Sequence, residues 1–372
     1  MTAQPPATPA ADQPLYIHLP FCHRICPYCA FYKHTPGATD MRAFVRALIR
    51  EAELRLPPHY TPRTIYCGGG TPSMLSPHHL STLITGLRHF VDTTHTQEWS
   101  FEANPATFTP AKATQWRELG ITRVSLGAQS FEPHLLRLLG REHTPEQIAH
   151  SVELLRAADI PQINLDLMFC LPAQTPEHWR HTLESALALE PDHISTYSLT
   201  LEEGTPYATR YPAPDEQTEL TLYTLAHDHL TAAGFAHYEI SNYARRPAAR
   251  SLHNLAYWRG ENYYALGPGA TGTIGHTRYT NTPDTTAYTA ALTAGALPPA
   301  HTEHLTPADL HTEQIGLRLR TDEGLPIALI PPHHAPTLRA LCEEGLATLT
   351  AGALILTPRG MLLADEIATT LL

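Results

Sequence analysis

Apolar positions along the first two-thirds of the chain alternate between two textures. Short apolar runs at 15–19, 63–67, 98–102, 123–126, 163–169 and 193–199 read as strands. Segments with helical apolar spacing lie between them. The first, 41–56, carries Phe44, Leu48 and Leu54 and stops before Pro57-Pro58; others span 77–90, 110–119, 133–139, 145–158 and 176–189. The pattern repeats strand then helix about six times, and connections of that length require parallel strands with right-handed crossovers. A doubly wound sheet and an open or closed barrel both satisfy this. The polar and glycine-rich residues favour a barrel, because they fall at or near one end of successive strands. Cysteines follow the first strand, glycines the second and Gln129 the fourth; Glu102 ends the third and Asp166 lies in the fifth. A barrel gathers such ends at one mouth, so the expectation is an α/β fold, a partial (β/α)6 barrel.

Past Thr200 the texture changes. A loop, Glu202-Glu203-Gly204-Thr205-Pro206, precedes a helical stretch at 215–233 and a strand-like 238–243. Residues 251–264 form an aromatic, polar stretch of no clear period. After about His301 come helices near 307–319 and 335–344, strand-like runs around 349–356 and a last helix from Pro358, a winged-helix order with too few Lys and Arg to bind DNA. The expected division is a disordered tail at 1–13, the barrel at 14–245 and a smaller C-terminal α+β domain at 246–372.

Composition narrows the function. The 372 residues are 42% hydrophobic, enough for a large core. A formal net charge of −11 argues against a nucleic-acid partner. Six unevenly spaced cysteines are not a secreted disulfide framework, and no apolar run reaches membrane-spanning length. Residues 1–13 lack the basic start and apolar centre of a signal peptide. The expected location is the cytoplasm. The 34 prolines and abundant threonines carry no functional reading.

The chemistry centres on Cys22, Cys26 and Cys29, three thiols within eight residues after the first strand. A disulfide would strand one, and a closed zinc site asks for a fourth ligand. An iron–sulfur cube held by three thiolates leaves one iron open to a small molecule. A zinc site completed by a histidine, or plain buried thiols, are the alternatives. Gly68-Gly69-Gly70-Thr71 would let a backbone approach a ligand closely, or form a plain strand-to-helix turn. Glu102, Gln129, Arg141 and Asp166 offer two carboxylates, an amide and a guanidinium for an ammonium, a carboxylate and ribose hydroxyls. Gly267-Pro268-Gly269-Ala270-Thr271-Gly272 fits GxGxxG, yet a strand-like run follows it, so no helix N-terminus receives a pyrophosphate. Cys67 and Cys342 read as buried small apolar residues.

CxxxCxxC after YIHLPF, followed by GGGTPS, resembles the radical S-adenosylmethionine (SAM) superfamily. SLGAQSF, LGREHT, NLDLM, YSLTLEEGTP, YEISNYA, YYALGPGA and LTPRGMLLADEI extend the resemblance to the oxygen-independent coproporphyrinogen III oxidase family. HNLAYW at 253–258 matches the HNxxYW motif of its HemW-type haem-chaperone branch. The resemblance covers the chain from Leu15 onward. It implies a [4Fe–4S] cluster on Cys22, Cys26 and Cys29 and SAM on the open iron. The matching SAM-contact positions are Tyr16, Tyr28, Gly69, Gly70, Thr71, Glu102, Gln129, Arg141, Asp166 and Thr200. It also implies haem at His253, with Tyr257 and Trp258 beside the macrocycle. A haem-acceptor protein and an electron donor would be the partners. Phe31 stands where oxidases tend to carry a fourth cysteine, and the preceding segment is short. Both favour haem transfer over the alternative, oxidative decarboxylation of coproporphyrinogen III. Ala30 and Cys170 depart from the usual Asp and Gly.

Overall fold

The computed structural model describes residues 12–372. The tail expected at 1–13 lies outside them except for its last two residues. Of these, Gln13 is buried, and its carbonyl accepts from Tyr60 Oη at 2.7 Å.

The elements follow the expected order. They begin with β1 (Leu15–Leu19), α1 (Met41–Arg55), β2 (Thr64–Gly69), α2 (Pro77–Leu87), β3 (Glu98–Ala103) and α3 (Pro110–Glu118). Next come β4 (Arg123–Gln129), α4 (Pro133–Leu138), α5 (Pro145–Ala157), β5 (Gln162–Phe169), α6 (Pro176–Ala188) and β6 (His193–Ser198). Then follow α7 (Pro206–Arg210), α8 (Glu216–Ala232), β7 (Ala236–Glu239), β8 (Asn242–Ala244), α9 (Leu252–Trp258) and β9 (Tyr264–Leu266). The chain continues with β10 (Thr271–Ile274), β11 (Thr277–Asn281), α10 (Thr285–Thr293), β12 (Ala300–His304) and α11 (Pro307–Arg318). It closes with β13 (Leu325–Pro326), α12 (Ala335–Glu343), β14 (Ala347–Leu349), β15 (Ala353–Leu356), α13 (Pro358–Met361) and α14 (Ala364–Thr370).

The prolines and threonines gain a local role. Thr109, Thr144, Thr175, Thr205, Thr306 and Thr357 each cap a helix through the side chain, and a proline follows each in the first turn. The hydroxyl takes an orphan N–H, and proline has none to lose there. The Thr-Pro pair starts six of the fourteen α-helices among the described residues.

Two compact units interleave along the chain. The first is 12–166 with Thr200–Ala213 and Asn262–His304; the second is Leu167–Leu199, Pro214–Glu261 and Leu305–Leu372. This differs from a boundary at 245/246. The reason is β9, which returns to pair in parallel with β1, Leu15 facing Tyr264 and Ile17 facing Leu266. In the first unit β1, β2, β3 and β4 also pair in parallel in sequence order, with β5 next to β4. Every residue of β4 is buried, as expected for a strand covered on both faces. In the second unit β6 and β7 pair antiparallel with β8, and β13, β15 and β14 form a small antiparallel sheet.

The GxGxxG stretch is structural, and β10 follows it rather than a helix. Gly267 has φ +105, and a Cβ there would lie 2.4 Å from the His18 carbonyl oxygen. Its N–H donates to Glu51 Oε2 at 2.8 Å. Glu51 is fully buried, takes Arg55 Nε at 2.9 Å and Asn281 Nδ2 at 2.7 Å, and also accepts from Tyr288 Oη. A buried carboxylate so fully paired ties the turn after β9 to α1.

Candidate cluster and cofactor site

The cysteine loop is tied at both ends. Phe21 bridges His34, Cys22 N–H donates to His34 O at 3.0 Å, and His34 N–H to Pro20 O at 2.8 Å. Cys29 N–H folds back on Cys26 O at 3.3 Å, making a turn of the CxxC segment. All three thiols are free and half-buried. The glycine turn lies against this loop: Gly70 N–H donates to Leu19 O at 2.9 Å and Thr71 N–H to Phe21 O at 2.8 Å. Thr71 Oγ1 donates to Cys22 Sγ at 3.5 Å. Burial raises the Cys22 thiol, while Thr71 and Arg141 act against it.

The glycines let parts of the chain approach one another closely. Gly69 has φ +110, and a Cβ there would sit 2.4 Å from the His18 ring. A Cβ on Gly70 would lie 2.7 Å from the Pro20 carbonyl carbon. The missing side chains make room for the protein itself, so that the turn and the cysteine loop touch.

A polar chain runs outward from Thr71. Asn104 Nδ2 donates to Thr71 Oγ1 at 3.1 Å, and Asn104 Oδ1 accepts from Arg141 Nη1 at 2.8 Å. Arg141 Nη2 reaches Tyr28 Oη at 3.1 Å, within the cysteine loop. Gln129 is buried with φ +66, and its amide lies beside Gly127 near Asn104 and Arg141.

A second group surrounds Glu102. Tyr66 Oη donates to Glu102 Oε1 at 2.8 Å and Gly69 N–H to Oε2 at 3.1 Å. Burial still outweighs these bonds, with nearby Asp166 adding to the effect, and the Glu102 carboxyl is pushed up to about 7. Asp166 takes Ser125 Oγ at 2.8 Å and Asn164 Nδ2 at 2.8 Å. Tyr16 stacks near Tyr66, ring centroids 6.1 Å apart, and bonds His18 Nδ1 at 3.0 Å. His18 Nε2 must donate to the Tyr32 carbonyl at 2.8 Å, so Nδ1 accepts from Tyr16.

The structure thus brings together Cys22, Cys26, Cys29, Tyr16, Tyr28, Gly69, Gly70, Thr71, Glu102, Gln129, Arg141 and Asp166. Thr200 is exposed and joins none of these bonds among those described. Asn104, Ser125, Asn164, Tyr66 and His18 escaped the sequence reading. Asn164 and Asp166 left a signal, polar residues two apart in an otherwise apolar strand.

The donors suit a cluster and SAM. Arg141 Nε is buried with no hydrogen-bond partner, a donor left for an anionic group. A cavity of about 330 Å³ opens beside Cys26, Thr71, Asn104, Arg141 and His143. Burial pushes His143 down to about 4, so it stays neutral there. Among the described residues the three thiols do not form a set with all ligand atoms within 4.8 Å of one another. One zinc ion with bonds of about 2.3 Å would draw them to roughly 3.8 Å. A larger cluster needs no such approach.

His253 lies in the second unit, on α9. It is fully buried, and its Nε2 shares a hydrogen bond with Tyr257 Oη at 2.9 Å. Cys67 is buried and pushed up to about 12, as expected of a packing thiol, whereas Cys342 is half-exposed.

The Radical SAM superfamily signature matches residues 16–186. The chain is 38% identical to the haem chaperone HemW of Mycobacterium tuberculosis over 99% of its own length and 97% of that protein. It is 33% identical to HemW of Bacillus subtilis over 95% and 97%. In structure it resembles the Escherichia coli coproporphyrinogen III oxidase HemN, a radical SAM enzyme, with a TM-score of 0.81. That likeness covers 96% of this chain and 90% of the oxidase at 24% identity, and shows the fold.

Proposed function

The chain belongs to the radical SAM superfamily and, within it, to the family of the HemW haem chaperones, and from that membership we propose that it binds haem and passes it to an acceptor protein. The observation that carries this is the likeness to a haem chaperone over 97% of that protein's length. The HNLAYW segment at 253–258 lies within that span and forms α9 with its N-cap at Ser251.

Cys22, Cys26 and Cys29 would hold the [4Fe–4S] cluster, and SAM would lie among the residues around it. Arg141 Nε and the Gln129 amide are suited to its carboxylate, and Glu102 and Asp166 to its ammonium and ribose hydroxyls. When bound, the cluster supplies the electron and SAM the bond it cleaves. The chain's own share is to position and shield: Thr71 donates to Cys22, Asn104 links Thr71 to Arg141, and His18 fixes the Tyr16 hydroxyl. An electron donor for the cluster and a cytoplasmic setting belong to the same proposal. So does the absence of a stable membrane insertion; among the described residues no helix is long and apolar enough to cross a membrane.

His253 would ligate the haem iron. Its Nε2 is engaged with Tyr257, so loading would exchange that hydrogen bond for the metal. Anaerobically reconstituted protein titrated with ferric haem is expected to develop a Soret band, weakened in H253A. No band in the wild-type protein would overturn the reading. The fold likeness to the oxidase keeps a second reading, decarboxylation of coproporphyrinogen III. Product formed anaerobically with SAM and reductant would establish it.

A further inference from the structure

Two guanidinium forks bracket α9. Arg250, just before the helix cap, holds Asp322 through both oxygens: Nη1–Oδ1 at 3.1 Å and Nη2–Oδ2 at 2.5 Å. Arg259, just after the helix, holds Glu323 through Nε–Oε2 at 2.9 Å and a second bond from Nη2 to Oε1. Both pairs are bidentate, the arrangement that gives arginine its selectivity for carboxylates. Both acceptors come from adjacent residues of one turn.

Exposure separates these pairs from a structural ion pair. The Arg250 and Asp322 side chains are 25% and 32% exposed, and Arg259 and Glu323 are 29% and 33% exposed. Arg123 and Glu98, in the first unit, are 3% and 4% exposed, and separating them would strand a buried charge. Around α9 a displaced carboxylate returns to water, and the arginine keeps a carboxylate if another arrives. The turn's backbone need not move. Asp322 N–H donates to the Tyr238 carbonyl at 2.9 Å, which anchors the turn's backbone apart from its side chains.

We propose that Arg250 and Arg259 form a carboxylate clamp for the two haem propionates, occupied in the haem-free chain by Asp322 and Glu323 as internal stand-ins. The proposal rests on the reading that haem binds at α9. Haem is the porphyrin cargo that brings two carboxylates to one helix, matching the two forks in number and charge. The internal carboxylates lower haem affinity by competition, which suits a carrier that must also release its cargo.

The test compares ferric haem with its dimethyl ester, each titrated into the full-length chain and followed by the Soret band. The diacid is expected to bind the wild-type protein at least about tenfold more tightly than the ester. D322N/E323Q is expected to bind the diacid severalfold more tightly, with ester affinity unchanged. R250A/R259A is expected to bind diacid and ester alike; circular dichroism checks its folding, and the wild-type comparison stands without it. Equal binding of diacid and ester by the wild-type protein would overturn the clamp and leave the haem reading intact. If neither binds, the haem reading fails and the clamp falls with it.

Discussion

SAM affinity should rise with pH through the ionisation of Glu102. In the chain without ligand its carboxyl sits at about 7, raised from 4.5 chiefly by burial, then by Asp166. SAM carries a sulfonium, an ammonium and a carboxylate, so a net positive charge arrives beside this group and favours its ionised form. At pH 6 about nine in ten molecules must give up a proton to bind, an opposing free energy of about 1.4 kcal/mol, whereas at pH 8 the requirement has almost vanished. Through Glu102 alone, wild-type affinity should therefore increase roughly tenfold between pH 6 and pH 8. His143, pushed down to about 4 by burial, does not titrate in this window. The sign for folding is opposite. A carboxyl raised in the folded state contributes stability at low pH that is lost as pH rises through about 7. Calorimetric titration of SAM into reconstituted wild type and E102Q reads the effect. E102Q should bind more weakly, with a flat profile. A wild-type affinity that ignores pH, or an E102Q profile with the same slope, would refute the assignment.

Three further outcomes follow from the same geometry. C22S, C26S and C29S should each lose the brown cluster chromophore on reconstitution, while C67S, C170S and C342S keep it; absorbance and iron content decide this. N104A removes both Asn104 side-chain bonds, to Thr71 and from Arg141, and should weaken SAM binding about tenfold while lowering stability by about 1–3 kcal/mol through the acceptor Arg141 loses. Glu239 is fully buried, one of its oxygens has no partner, and burial pushes it up to about 7 from 4.5. E239Q should therefore be more stable than wild type at pH 8, by up to about 3 kcal/mol in denaturant unfolding, with the difference vanishing near pH 4.5.

The sequence carried the outline of the barrel because its strands are short apolar runs separated by helices with strong period and clear starts. The cysteines and glycines stood out by type and spacing alone. What escaped depended on partners distant in sequence. β9 is three residues long, and nothing in Tyr264–Leu266 announces that it pairs with β1. α9 is a seven-residue helix crowded with aromatics, too short for its period to register. Asn104 reads as the end of a strand, and its role appears only once Thr71 and Arg141 approach it from other strand ends. The glycines at the end of β2 fit a ligand's close approach and a plain strand-to-helix turn equally well. In the fold they make room for His18 and the Pro20–Phe21 backbone.

Three loop thiols holding one cluster would leave an iron open to SAM. Electron paramagnetic resonance of the reduced, reconstituted protein, recorded before and after SAM is added, tests it most directly. A cluster signal whose g-values shift on adding SAM is expected, with E102Q needing more SAM than wild type for the same shift at pH 8. A signal indifferent to SAM in the wild-type protein, or a colourless protein carrying a single zinc ion, would contradict it.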